Sequence, residues 1–335
     1  MIQPYAQKTS PYRKRSQRGA ALLIVLLLVA TLSFIALAVT ERTTLAASRA
    51  YNARARGEAL WLALGAERLA VAALQEIVAA SPDRMSLDAP WAQEPMLIPL
   101  DGGTARLFFA DATACFNVNS FVATATGGRE KPPPQVEMET LVDNYEIGQF
   151  QAEQLVSVIK DWIDPDNLRE PQGAEDGTYE TKPSPYKTAG GPIASISEIR
   201  AVEGVTREIY GSLKPLLCAL PDENPSAINI NMLTPSDAPL LAAVLGPTVD
   251  IEQAAAIIAR RPEGGFPDLA SFLPEDELTS LGIEAAPGDR FALTSRYMQA
   301  RAEIVYNDAV IEMTVDFAIE GSNVKVLARR LGPEE

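Results

Sequence analysis

"KRSQRGAALLIVLLLVATLSFIALAVTER", residues 14–42, decides the architecture, because everything after it must be arranged around a helix that starts in lipid. The run from Ala20 to Thr40 has no charged side chain and is long enough to cross a bilayer, which takes roughly 20 helical residues. A cleaved secretory signal has a shorter apolar core. Lys8, Arg13, Lys14, Arg15 and Arg18 precede the run and only Arg42 follows it closely. That bias holds the amino terminus in the cytoplasm and exports the remainder.

Gly19 stands before the apolar run, whereas the small-residue cleavage site of an ordinary signal follows it. A basic leader ending in glycine resembles a prepilin leader, which is cut on the cytoplasmic side. The resemblance implies cleavage between Gly19 and Ala20, with the apolar helix kept on the mature chain. The competing reading is an uncleaved single-span anchor in which Gly19 is incidental.

Composition narrows the chemistry. The 335 residues are 47% hydrophobic, enough for one large or two moderate domains behind the anchor. A net charge of -15, carried by a chain with a basic leader, makes the exported part strongly acidic and repellent to phosphate backbones. The chain has no histidine, which removes the usual general base, Ser/His/Asp and Cys/His nucleophile systems, and imidazole-bound zinc. Its two cysteines, Cys115 and Cys218, are too few for a four-thiolate site. In an oxidising exported compartment they are expected to pair; the alternative is two buried thiols.

Helical periodicity continues beyond Thr40 to Ala80, with Leu60, Leu64, Val71, Leu74 and Val78 on one side and Glu67 interrupting the stripe. "GGTARLFFADATACFNVNSF" then alternates in strand fashion at Ala105, Leu107, Phe109, Phe116 and Val118. After the linker "GGREKPPPQ" come helical segments separated by a long irregular stretch from Pro165, and Ser195 with Glu198 has the form of a capping box. "FNVN" at 116–119 is echoed by "ININ" at 228–231, with glycine hairpins near Gly204 and Gly246. Two tandem helical subdomains of helix-hairpin-helix type are expected. Short β-type runs with turn signals at Asn307 and Gly321–Asn323 predict a closing antiparallel meander.

The order helix, strands, helical block, strands resembles a pilin-like α+β domain carrying an α-helical insertion, and the motifs resemble one family in particular. "RGAALLIVLLLVA", "DATACFNVNSF", "DWIDPDNLREPQGAEDGTY", "PSPYKTAGGPIASISEIRAVEGV" and "LKPLLCALP" followed by "ININ" occur in the order of type II secretion system protein K, a minor pseudopilin. The resemblance implies a leader at 1–19, a transmembrane helix at 20–40, a discontinuous αβ domain at 41–119 and 287–335, and an inserted helical domain at 120–286. It also implies a single-pass inner-membrane protein with a periplasmic domain, processed by prepilin peptidase. Its partners would be proteins I and J and the assembly platform, and its place the tip of a filament that exports folded proteins. It implies no enzyme activity. A membrane-anchored DNA receptor is the alternative that the hairpins raise, although single glycines and nearby Glu203, Asp250 and Glu252 argue against phosphate binding.

Two site expectations follow from the resemblance. The helical domain of protein K is associated with calcium, which points to Asp164, Asp166, Glu175 and Asp176, with Asn167 and backbone carbonyls available to complete the shell. An EF-hand is excluded, since Leu168 and Arg169 replace an acidic ligand and the required glycine; a solvated acidic loop is the alternative. Ala20 as mature residue one puts Ile24 at the fifth position, where most pilin-like subunits carry a glutamate. Ile24 therefore marks a subunit that starts the filament; otherwise it is one more lipid-facing residue.

Overall fold

The computed structural model describes residues 18–124, 131–143, 149–283, 287–307 and 309–332. Most of the expected leader, residues 1–17, lies outside the described residues. The chain divides into two units between Glu58 and Ala59.

Helix α1 runs from Arg18 to Ala80. Ala20, Ile24 and most of the apolar residues after them are exposed, and by length and composition the helix can cross a membrane. Within the second unit α1 buries Ala59, Ala63, Ala66, Ala70, Leu74 and Val78. This stripe corrects the expected one: Leu60, Leu64 and Val71 are only half-buried and flank the contact line. Alanine at the centre lets the helix axis approach a sheet closely, while the larger side chains fill the margins.

Strands β1 (Met96–Leu100) and β2 (Gly103–Asp111) form a hairpin, after which the chain leaves the sheet. Phe116 and Val118 do not extend the strand alternation. Phe116 lies in the two-residue strand β3 (Phe116–Asn117), a 3-10 turn follows, and Phe116, Val118 and Phe121 join the core of the helical block.

That block contains α2 (Pro133–Asp143), α3 (Gln149–Ile163), α4 (Arg207–Leu213), strand β4 (Leu217–Cys218), strand β5 (Ile228–Asn229), α5 (Ala238–Leu245), α6 (Ile251–Ala259) and strand β6 (Phe291–Ala292). The chain returns to the sheet as β7 (Tyr297–Tyr306), β8 (Ala309–Glu320) and β9 (Asn323–Leu331). The sheet order is β1-β2-β7-β8-β9, antiparallel throughout, so the closing meander pairs with the early hairpin across the whole insertion. Alternate residues Ala105, Leu107, Phe109, Ala300, Ala302, Ile304, Met313, Val315 and Phe317 are buried on one face. Arg329 is paired in register with Val315 and forms a two-point ion pair with Glu67 of α1. The glutamate that interrupts the apolar stripe therefore has its partner on the edge strand.

The asparagine echo is structural. β3 pairs in parallel with β4, and β5 with β6. In each unit the second asparagine grips one residue's backbone with both ends of its amide. Asn119 accepts from Ile193 N at 2.9 Å and donates to Ile193 O at 3.0 Å; Asn231 accepts from Phe266 N at 2.7 Å and donates to Phe266 O at 3.1 Å. The first asparagines orient them, since Asn117 Oδ1 and Asn229 Oδ1 accept from the backbone N–H of Asn119 and Asn231. All four are buried, where an amide must have its partners.

Candidate metal centre and the joint of the insertion

Helix α3 is anchored by Trp162, whose ring meets Tyr179 edge-on at 5.1 Å. That packing holds the last turn of α3 against the irregular stretch that follows it. Asp161 and Asp164 are three residues apart at the end of the helix and so share a face. Asp161, Asp164 and Glu175 each bring one carboxylate oxygen to a common point, all within 4.8 Å of one another. Asp161 is fully buried, Glu175 is buried and Asp164 is half-buried. The loop closes over them only because residue 173 is glycine: a Cβ there would fall 2.0 Å from Asp161 Oδ2.

The electrostatics are unfavourable without a counter-charge. Glu175 is pushed up to about 7, first by loss of water and then by the carboxylates of Asp161 and Asp164. Asp164 is pushed up to about 6 by desolvation, then by Asp166 and Asp161. Asp161 is also raised by burial, although the Glu170 N–H donates to it at 3.1 Å. Lys160, whose charge opposes these shifts, is paired with Glu170. Both oxygens of Glu175 and Oδ1 of Asp164 are buried without a hydrogen-bond partner. Three converging hard oxygens, two residues' worth of them unsatisfied, fit a divalent cation with oxygen preference.

The ligand set expected from the sequence is therefore revised. Asp164 and Glu175 converge, but Asp166 is turned back to accept from Leu168 N at 2.7 Å. Asp176 is committed to Lys187 Nζ at 2.8 Å and to Thr188 N at 3.0 Å. Asp161 was not among the expected ligands. Its signal is the i, i+3 spacing in "DWID" at the end of a helix, which points both carboxylates the same way.

Cys115 and Cys218 are joined by a disulfide with a Cα–Cα distance of 5.7 Å, beside the β3–β4 pairing. Close by, Asp111 at the end of β2 accepts from Thr113 N and Ala114 N at 3.0 Å. Thr113 Oγ1 in turn accepts from Asn229 N at 3.1 Å, and Asn229 donates to Ser295. The entry and exit of the helical block are thus bound to each other by one buried polar chain. Arg290, which immediately precedes β6, pairs with buried Glu137 at 2.6 Å and donates to Ser226 O.

Comparison with known proteins places these features in a family. Two family profiles described as "Type II secretion system (T2SS), protein K" match residues 114–222 and 228–294. Type II secretion system protein K of Pectobacterium carotovorum subsp. carotovorum is 35% identical over 94% of this chain and 97% of its own length. The protein K of Aeromonas hydrophila is 31% identical over 95% of this chain and 97% of its own length. A chain from the crystal structure of the GspK-GspI-GspJ complex of the enterotoxigenic Escherichia coli type 2 secretion system superposes with a TM-score of 0.73 at 28% identity. It covers 85% of this chain and 100% of that one. By these matches, which span nearly its whole length, the chain belongs to the type II secretion system protein K family.

Proposed function

We propose that this chain is a minor pseudopilin that stands at the tip of the type II secretion pseudopilus and works without catalysis. The carrying observation is its likeness, over most of its length, to a chain of the GspK-GspI-GspJ complex. On this reading its partners are the corresponding proteins I and J. The leader at 1–19 is removed after Gly19 by prepilin peptidase. The helix from Ala20 to Thr40 then crosses the inner membrane once, amino terminus inside, and the assembly platform draws the subunit into the filament. Ile24 supplies no carboxylate to attract the terminal amine of a subunit above, so the chain receives subunits from below only. The helical insertion at 120–286, read as two helix-hairpin-helix units around Gly204 and Gly246, sits where no lateral neighbour limits its bulk. The αβ part at 41–119 and 287–335 carries it. The DNA-receptor alternative finds no support among the relatives.

Calcium is the proposed ion at Asp161, Asp164 and Glu175. The ion would neutralise three carboxylates that otherwise repel one another. Tyr179 and Trp162 brace the loop, Gly173 lets it close, and Lys160 with Glu170 holds its first half to α3.

The test is co-purification. Full-length chain co-expressed with proteins I and J and extracted in detergent is expected to elute as one complex. Three separate peaks would refute the tip reading.

A further inference from the structure

Between the apolar run and Glu58, one exposed face of α1 carries a line of charge. Arg42, Arg49 and Arg56 follow one another at seven-residue intervals. Seven helical residues fall about 20° short of two full turns, so the three guanidinium groups stand nearly in line, about 10 Å apart. All three are exposed, and among the described residues no carboxylate pairs with them. Arg54, off this line, is instead bound to Glu58 at 2.8 Å. Along one side of the line lie Ala46, Ala50, Ala53 and Gly57, all exposed. A Cβ on Gly57 would meet nothing within 4 Å, so the fold of this chain does not call for a glycine there, although glycine weakens a helix interior.

The direction of the line selects its partner. A spanning helix leaves the bilayer along its axis, so anionic headgroups meet it in one plane. Arg42, two residues beyond Thr40, lies at that level. Arg56 lies about 20 Å further along the axis, well beyond a Debye length of about 8 Å. Only a body running alongside the helix can meet all three charges. A second copy of this chain would set arginine against arginine, because the only acids from 41 to 58 are Glu41 and Glu58.

We propose that Arg42, Arg49 and Arg56 form a docking strip for the long helix of a different pseudopilin subunit. That helix lies in the lane of small residues and presents Asp or Glu side chains at seven-residue intervals. The inference rests on the pseudopilin reading and deepens it by stating the chemistry of the neighbour.

A photoreactive residue at Ala53 of the full-length chain, in membranes of cells carrying the complete secretion system, tests it. The expected adduct is with another pseudopilin subunit. Its yield should fall at least tenfold in the double variant Arg49→Glu, Arg56→Glu, survive in Arg49→Lys, Arg56→Lys, and be unchanged in Arg54→Gln. Immunoblotting for equal membrane levels separates this loss from failure to fold. An adduct with lipid, an adduct with a second copy, or a yield indifferent to charge reversal would overturn the strip. If the wild-type chain still co-purifies with proteins I and J in those cases, only the strip falls. If it does not co-purify, the tip reading falls and the strip with it.

Discussion

Withdrawing calcium from the site proposed at Asp161, Asp164 and Glu175 should weaken the helical block in a pH-dependent way, and the direction follows from the carboxylates. Glu175 and Asp164 are raised to about 7 and about 6, above the ordinary values of 4.5 and 3.8. For an acid whose folded value is raised, the stabilising contribution is complete below the unfolded value and is lost as pH climbs through the folded one. The ion-free protein should therefore lose stability between about pH 4 and pH 7. Calcium requires the ionised oxygens, so at pH 7 its binding should expel about half a proton from Glu175. Affinity should drop about tenfold per pH unit below that, and more steeply below pH 6, where Asp164 also holds its proton. Calcium at a hundred times its dissociation constant would add about 2.7 kcal/mol, which for a domain of this size raises the thermal midpoint by about 5–10 °C. Scanning calorimetry of the purified chain with calcium or EGTA at pH 6, 7 and 8 reads this directly. Titration calorimetry in two buffers of different ionisation enthalpy reads the proton. Asp161→Asn keeps an acceptor for the Glu170 N–H but removes one charge. It should abolish the response to calcium while leaving the EGTA midpoint equal to or above that of the wild type. Identical midpoints with and without chelator at pH 7.5, or an Asp161→Asn variant that responds like the wild type, would refute the reasoning.

Three further outcomes are expected. Replacing Cys115 and Cys218 together by alanine opens a loop of 103 residues and should lower stability by up to about 4.7 kcal/mol in urea titrations; superimposable curves would show that the bond constrains nothing. Arg290→Met strands the buried carboxylate of Glu137 and should cost about 3–5 kcal/mol, most of it recovered by adding Glu137→Gln; a single variant as stable as the wild type would deny the pair its role. Replacing Gly19 should leave a longer, unprocessed chain on immunoblots and abolish secretion, whereas Ile24→Glu should be processed normally; a shortened product from the Gly19 variant would place the cleavage elsewhere.

The long helix, the strand through Ala105, Leu107 and Phe109, and the closing meander were legible because each carries its own periodicity or turn residues. Asn307 and Gly321, residue types that favour turns, both have positive φ and follow directly on the ends of β7 and β8. The burial face of α1 was not legible in the same way. Alanine is neutral in periodicity, so leucines at the margins drew the stripe one step around the helix. Glu67 looked like a fault for the same reason that Asp161 went unnoticed: the group that explains each lies elsewhere in the fold. The partner of Glu67 is 262 residues away, and that of Asp161 is assembled by a loop whose path Gly173 decides. Asp166 and Asp176 were drawn into the ligand set because neighbours in sequence share a position but not a direction.

The pairing of β2 with β7 also sets an order of events during folding. Asp111 lies opposite Met298, and everything between them is the insertion. The β1–β2 hairpin is complete early in the chain, and one edge of β2 then stays unpaired until β7, the third of the five strands, has been delivered. Closing so long a loop by chance is slow. The two parallel strand pairs and their asparagine clamps bring each helical unit's exit back beside its entrance. Once both units have folded, β7 starts next to its partner instead of having to search for it. The insertion thus acts during folding as a self-shortening tether, and a lesion in either clamp should lengthen the time for which the β2 edge is open to aggregation.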